Sequence, residues 1–159
     1  EEGKGFEHAM RSLDTGRLSV AAAATGYAAR ALESGLRYAT ERKAFGEPIA
    51  SFQLIQAMLA DSRTEIYAAQ CMIADACRLA DEGIRTPIEA SAAKIFATEM
   101  CGRVTDRVVQ IHGGAGYLAE YEAERFYRDA RLYRIYEGTT QILQLLIARN
   151  MLKDFAAQL

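Results

Sequence analysis

The sequence predicts an all-α domain, an up-down-up-down four-helix bundle with a short extra helix before the last long one. Three observations predict it. Apolar residues recur every three or four positions over four long stretches, whereas only short stretches alternate. Only 2 prolines occur in 159 residues, so little interrupts helix formation. The gaps between the periodic stretches are short and carry Gly, Pro, Asp and Thr, which stop and cap helices.

The elements follow in order. Asp14-Thr15-Gly16-Arg17 reads as a turn or cap. After it Leu18, Ala22, Thr25, Ala29, Leu32, Leu36 and Ala39 form one helical face, rich in small residues. This first helix should end between Arg42 and Gly46, ahead of Pro48. Ser51 is placed to cap the second helix. Its seam is Phe52, Ile55, Leu59, Ser62, Ile66, Ala69, Ile73 and Ala76, near a heptad, and Asp81-Glu82-Gly83 ends it. Thr86-Pro87 opens the third helix, with Phe96, Met100, Val104, Val108 and Ile111 on one face. Gly113-Gly114-Ala115-Gly116 stops it. A short amphipathic helix follows over about 122–129. The last helix runs from about Thr139, with Leu143, Ile147, Met151 and Phe155 as its stripe.

Composition excludes several function classes. The net charge of −2 offers no electrostatic case for nucleic acid or an anionic membrane. No apolar run approaches the ~18–20 residues of a membrane span. Cys71, Cys77 and Cys101 lack metal-ligand spacing and read as buried or half-buried free thiols in a reducing compartment. With His8 and His112 as the two histidines, no metal site is expected. The chain begins Glu-Glu-Gly-Lys-Gly-Phe, without Met or a targeting segment, and reads as a piece of a longer protein.

Four short motifs remain. Tyr136-Glu137-Gly138-Thr139-Thr140-Gln141 places one carboxylate at the mouth of a helix. Such a group either complements the helix dipole or, shielded from water, serves as a general base. Glu41-Arg42-Lys43-Ala44-Phe45-Gly46 either completes a helix C-terminus or presents an arginine fork to a phosphate beside an aromatic wall. Gln110-Ile111-His112-Gly113-Gly114-Ala115-Gly116 follows a helix, so it is no dinucleotide fingerprint. It is a glycine stop, or a bare backbone that a flat ligand can approach. Arg125, Arg128, Asp129, Arg131 and Arg134 form a charged strip that reads mainly as local pairs, with one arginine available to orient the Glu137 loop.

In this order and spacing, together with Phe52-Gln53, these motifs resemble the C-terminal helical domain of the acyl-CoA dehydrogenases, closest to the short- and medium-chain type. The resemblance covers nearly the whole chain. It implies that residues 1–13 end a middle β-domain and linker, and that 14–159 are the C-terminal bundle. It implies FAD and an acyl-CoA thioester as ligands, with Glu137 as the base that takes the α-proton. By the same likeness Arg42, Phe45, Phe52, Gln53, Gln110, Gly113 and Gly114 meet FAD across a subunit boundary, as do Gly138, Thr139 and Gln141 beside the base. Asp14 and Arg17 match positions near the thioester and CoA. Other members carry the base on the first helix, where this chain has Gly16. Ala44 stands where relatives often have a hydroxyl. An electron-transfer flavoprotein as acceptor and a homo-oligomer built as a dimer of dimers are further expectations. So is a cytoplasmic location in a bacterium, or the mitochondrial matrix in a eukaryote. An oxygen-using acyl-CoA oxidase and a non-catalytic helical oligomerisation module are the alternatives. In isolation the fragment is expected to be inactive.

Overall fold

A computed structural model describes residues 2–158; the side chains of residues 6–12, 14 and 15 lie outside the described set. Five helices carry the fold: α1 Gly5–Glu41, α2 Gln53–Asp81, α3 Pro87–His112, α4 Glu122–Ala130 and α5 Thr140–Ala156. Between α1 and α2 a two-residue ribbon, β1 Lys43–Ala44 with β2 Glu47–Pro48, pairs antiparallel and leads into a 3-10 turn, Ile49–Ser51. Two more 3-10 turns, Gly113–Tyr117 and Arg131–Arg134, flank α4.

The centre of the domain is α3, which packs against α1, α2, α4 and α5. It is buried on more than the one expected face: Ser91, Lys94, Thr98 and Thr105 join Met100, Val104, Val108 and Ile111 inside. Thr98 and Thr105 donate to the carbonyls four residues back, so their hydroxyls need no partner from another helix.

α1 and α3 run in the same direction and touch along their length. Ala21, Ala24, Ala28, Ala31 and Ala39 are all fully buried in α1. Gly35 faces α3, and a Cβ there would stand 3.3 Å from Val108 Cγ2. Small side chains let the two backbones approach, so each short residue still removes apolar surface from water. The buried face is rotated from the predicted one. Ala22, Ala29 and Leu36 are exposed, while Leu18 and Ala22 line a cleft of about 510 Å³ against Ile73, Cys77 and Ile84. Thr25, Leu32 and Ala39 of the expected face are buried, and Ala21, Ala24, Ala28 and Ala31 complete the packed face.

Other boundaries also differ. Helix α1 starts at Gly5 and passes through Asp14–Arg17, where a cap was expected. Residues 5–13, within the 1–13 stretch expected to hold a domain end and linker, are helical, in keeping with the helix formers Glu7, Ala9, Met10, Arg11 and Leu13. Ser51 closes a 3-10 turn, and Phe52 is the residue before α2. Cys71 is exposed, because it lies off the α2 seam; Cys101 is buried, which pushes its thiol up to about 12. Along α5 Thr140 and Leu143 are buried, whereas Met151 and Phe155 are 58% and 64% exposed. Among the described residues, the Met151–Phe155 end of that stripe is left uncovered.

Short α4 and its following turn bring the chain back along the bundle. Tyr121 meets Tyr38 near the end of α1, and Arg134 reaches Glu99 midway along α3. The return leg therefore brings the 135–139 loop against the first halves of α1 and α3.

Replacing Gly35 with valine should wedge α1 from α3, costing about 1–3 kcal/mol. The check is the melting temperature of the full-length protein, which should fall by several degrees; no change would mean that the α1–α3 contact is looser than described.

Candidate active site

Glu137 sits in the loop between the Arg131–Arg134 turn and α5. Its backbone is left-handed, with φ of 53°, and Gly138 follows at 92°. For a residue with a Cβ that conformation costs roughly 1–2 kcal/mol, so surrounding contacts must hold it. Thr139 starts α5, its hydroxyl accepting from the Ile142 N–H at 3.4 Å. Gly138 packs on Leu143, where a Cβ would come within 3.1 Å.

Two elements pin this loop. From α3, the Lys94 ammonium donates to the Gly138 carbonyl at 2.8 Å, and Lys94 is completely buried. Burial lowers its pKa from the ordinary lysine value, while the nearby carboxylates of Glu99 and Glu137 act to raise it. One helical turn later, Glu99 accepts from the Thr140 hydroxyl at 2.8 Å and from Arg134 at 3.1 Å. Gly102 leaves room for that arginine: a Cβ there would stand 2.9 Å from Arg134 Nη2. The charged strip thus contributes Arg134 to the Glu137 loop, while Arg128 pairs locally with Glu124 at 3.4 Å.

From α1, Gly16 makes space for the carboxylate itself. A Cβ on Gly16 would lie 2.7 Å from Glu137 Oε2. Arg17, the next residue, is 3% exposed and lies near enough to Lys94 to act on it electrostatically. The side chain of Asp14 lies outside the described residues. Glu137 is half-buried, and the Tyr136 ring beside it is partly exposed, its phenol pKa raised by burial.

The other motif residues gather elsewhere. Arg42, Ile49, Gly113, Gly114, His112 and Tyr38 line a cleft of about 420 Å³ at the far end of α1 and α3. Arg42 is extended, and its carbonyl accepts from the Ile49 N–H at 2.8 Å. Phe45 is 97% exposed, at φ of 54°, and meets Phe52 edge-to-face at 6.1 Å. Gln53 and Gln110 are exposed nearby in sequence, at the start of α2 and the end of α3. Gly113 is left-handed at φ of 59°, and neither it nor Gly114 has any atom within 4 Å of where a Cβ would stand. His112, missed as a site residue, stacks on Tyr38 at 4.2 Å and hydrogen-bonds the Val108 carbonyl through Nδ1.

These two groups are roughly 27 Å apart, at 1.5 Å per residue from Lys94 to His112 along α3. Within one chain, Glu137, Gly138, Thr139 and Gln141 cannot share a small ligand with Arg42 and Gly113. A long dinucleotide shared between subunits is compatible with both. Open glycine backbone, a cation and a bare aromatic ring at the cleft end fit its flat, phosphate-bearing half.

The profile described as "Acyl-CoA dehydrogenase, C-terminal domain" matches residues 3–152. The chain belongs to the acyl-CoA dehydrogenase family. It is 47% identical over 153 residues to the caffeyl-CoA reductase-Etf complex subunit CarC of Acetobacterium woodii, covering 96% of this chain and 40% of that one. It is 43% identical to the mitochondrial short-chain specific acyl-CoA dehydrogenase of Bos taurus, covering 98% and 38%. The solved butyryl-CoA dehydrogenase of Megasphaera elsdenii superposes with a TM-score of 0.93 at 41% identity, over 96% of this chain and 40% of that one. This acyl-CoA dehydrogenase domain therefore spans about 40% of the length of such relatives.

Sequence reasoning did not find Lys94 or Glu99. The signal for Lys94 was present: it falls on the α3 stripe with Ala90, Ala97 and Cys101, where a lysine must find a buried partner.

Gly16→Ala should leave the fold as stable or slightly more so, since alanine favours a helix by about 0.5–1 kcal/mol over glycine. It should nevertheless displace the Glu137 carboxylate. In the full-length enzyme kcat should fall about tenfold or more, consistent with a misplacement near 1 Å; unchanged kcat would show that the gap at Gly16 is not needed.

Proposed function

We propose that this chain is the base-bearing domain of an FAD-dependent enzyme that removes the α-proton and β-hydride of an acyl-CoA thioester. The observation that carries the reading is the Glu137 carboxylate, set on a left-handed loop and turned into the gap over Gly16. A carboxylate placed by fixed backbone is suited to proton abstraction, because its orientation is set before the substrate arrives.

In this reading the α C–H bond breaks and its proton passes to a Glu137 oxygen, leaving the electron pair to form the α,β double bond. Bound FAD, held by Arg42, Phe45, Phe52, Gln53, Gln110 and the Gly113–Gly114 turn of one subunit and by Gly138, Thr139 and Gln141 of another, supplies the hydride acceptor. Arg17, buried beside Lys94, and Asp14 are assigned to the thioester and CoA side of the site. The uncovered stripe on α5, with Met151 and Phe155, supports an oligomer built as a dimer of dimers. Electron exchange with an electron-transfer flavoprotein is supported by the relative named as an Etf-complex subunit. For location we propose the cytoplasm in a bacterium and the mitochondrial matrix in a eukaryote; a Bacillus subtilis relative and one named mitochondrial support the coarser division.

One observation favours a second direction. Relatives 47% and 45% identical are named reductases, a caffeyl-CoA reductase subunit and a 3-(aryl)acrylate reductase. By microscopic reversibility the same Glu137 would then return a proton to the α-carbon.

Glu137→Gln in the full-length holoenzyme should lower the rate of flavin bleaching by acyl-CoA by about 10²–10⁴-fold, with FAD still bound. Bleaching at the wild-type rate would remove Glu137 from the role of base.

A further inference from the structure

The buried lysine of α3 has no part in the proton transfer described above, yet it is tied to the loop that performs it. Lys94 is 0% exposed, and its ammonium donates to the carbonyl of Gly138, one peptide from Glu137. Glu137 and Gly138 are both left-handed, at φ of 53° and 92°, and the Gly138 carbonyl that follows them is held by Lys94. A buried ammonium is expensive to desolvate unless it is paired. A neutral donor could hold the carbonyl equally well, so the choice of a cation calls for an electrostatic reason.

The surroundings supply one. Among the described residues, the titratable groups around Lys94 and Glu137 include Arg17 from α1, Glu99 on α3, Arg134 from the turn after α4, and Tyr136 beside Glu137. Glu99 is occupied by Arg134 and Thr140, so its charge is largely matched already. Burial and Arg17 work against the Lys94 charge, and the carboxylates of Glu99 and then Glu137 favour it.

We infer that Lys94 is a positioning residue for the base, holding the Glu137 loop through the Gly138 carbonyl and setting a buried positive charge beside it. The inference rests on Glu137 being the base. Removing a cation beside a carboxylate raises the carboxylate's proton affinity. The acid limb of the kcat/KM profile, where the base becomes protonated, should therefore move to higher pH.

The test compares full-length holoenzymes, each checked for FAD content. In Lys94→Met, matched in length but uncharged, the acid limb should rise by on the order of one pH unit. At neutral pH kcat should fall tenfold or more, with KM changed less than about threefold. Lys94→Arg should return the limb toward its original position. Should Lys94→Met fail to fold, Lys94→Gln, an uncharged donor, carries the same comparison. An acid limb that stays in place in the folded uncharged variant overturns the inference, whatever happens to kcat. Glu137→Gln separates the two readings: if it keeps wild-type activity the base assignment fails, and if it is inactive while Lys94→Met keeps its limb only the role of Lys94 fails.

Discussion

The close contact between α1 and α3 is the constraint on which the rest depends. Alanines and Gly35 on α1 let two parallel helices approach along their length, and the approach fixes both ends of the molecule. At one end the pair meets the Glu137 loop, with Gly16 on α1 opening space and Lys94 on α3 reaching the Gly138 carbonyl. At the other end, Tyr38 from α1 stacks on His112 from α3, and the two helix ends frame the cleft that holds Arg42 and the Gly113–Gly114 turn. A wider spacing would loosen both groups at once.

Glycine and charge divide the work at the Glu137 end. Three glycines make room: Gly16 for the carboxylate, Gly102 for the Arg134 guanidinium and Gly138 for the Leu143 side chain. Half-buried charges then fill that room, with Glu99 linking Arg134 to the first turn of α5. The loop conformation is unfavourable for Glu137 by itself, and it is held because α3 contributes a donor and α5 begins immediately afterwards. Such a loop has little freedom to turn its carboxylate elsewhere, which suits a group that must meet one carbon of a substrate.

Much of this was legible from the chain. The seam of α2, from Phe52 to Ala76, and the stop at Gly113 could be read because apolar spacing and glycine act locally. Thr139 was placed at the start of α5 for the same reason. The α1 face was read only in part: Thr25, Leu32 and Ala39 are buried, but in so alanine-rich a helix the spacing did not single out Ala21, Ala24, Ala28 and Ala31. The α5 stripe was read correctly as apolar, but periodicity does not say which molecule covers it. Asp14–Arg17 looked like a cap, since the tertiary reason for a glycine inside that helix lies more than a hundred residues away, at Glu137. The partner of Lys94 needed the structure, because it is a backbone carbonyl, which leaves no trace in residue type.

The central claim is that the Glu137 carboxylate is the group that takes and returns the α-proton. Its most direct measurement is exchange of solvent deuterium into the α-position of acyl-CoA, followed by mass spectrometry, in the full-length holoenzyme and in Glu137→Gln. Incorporation by the wild type and none by the variant is the expected result. Incorporation by the variant at the wild-type rate would contradict the account, because another group would then be moving the proton.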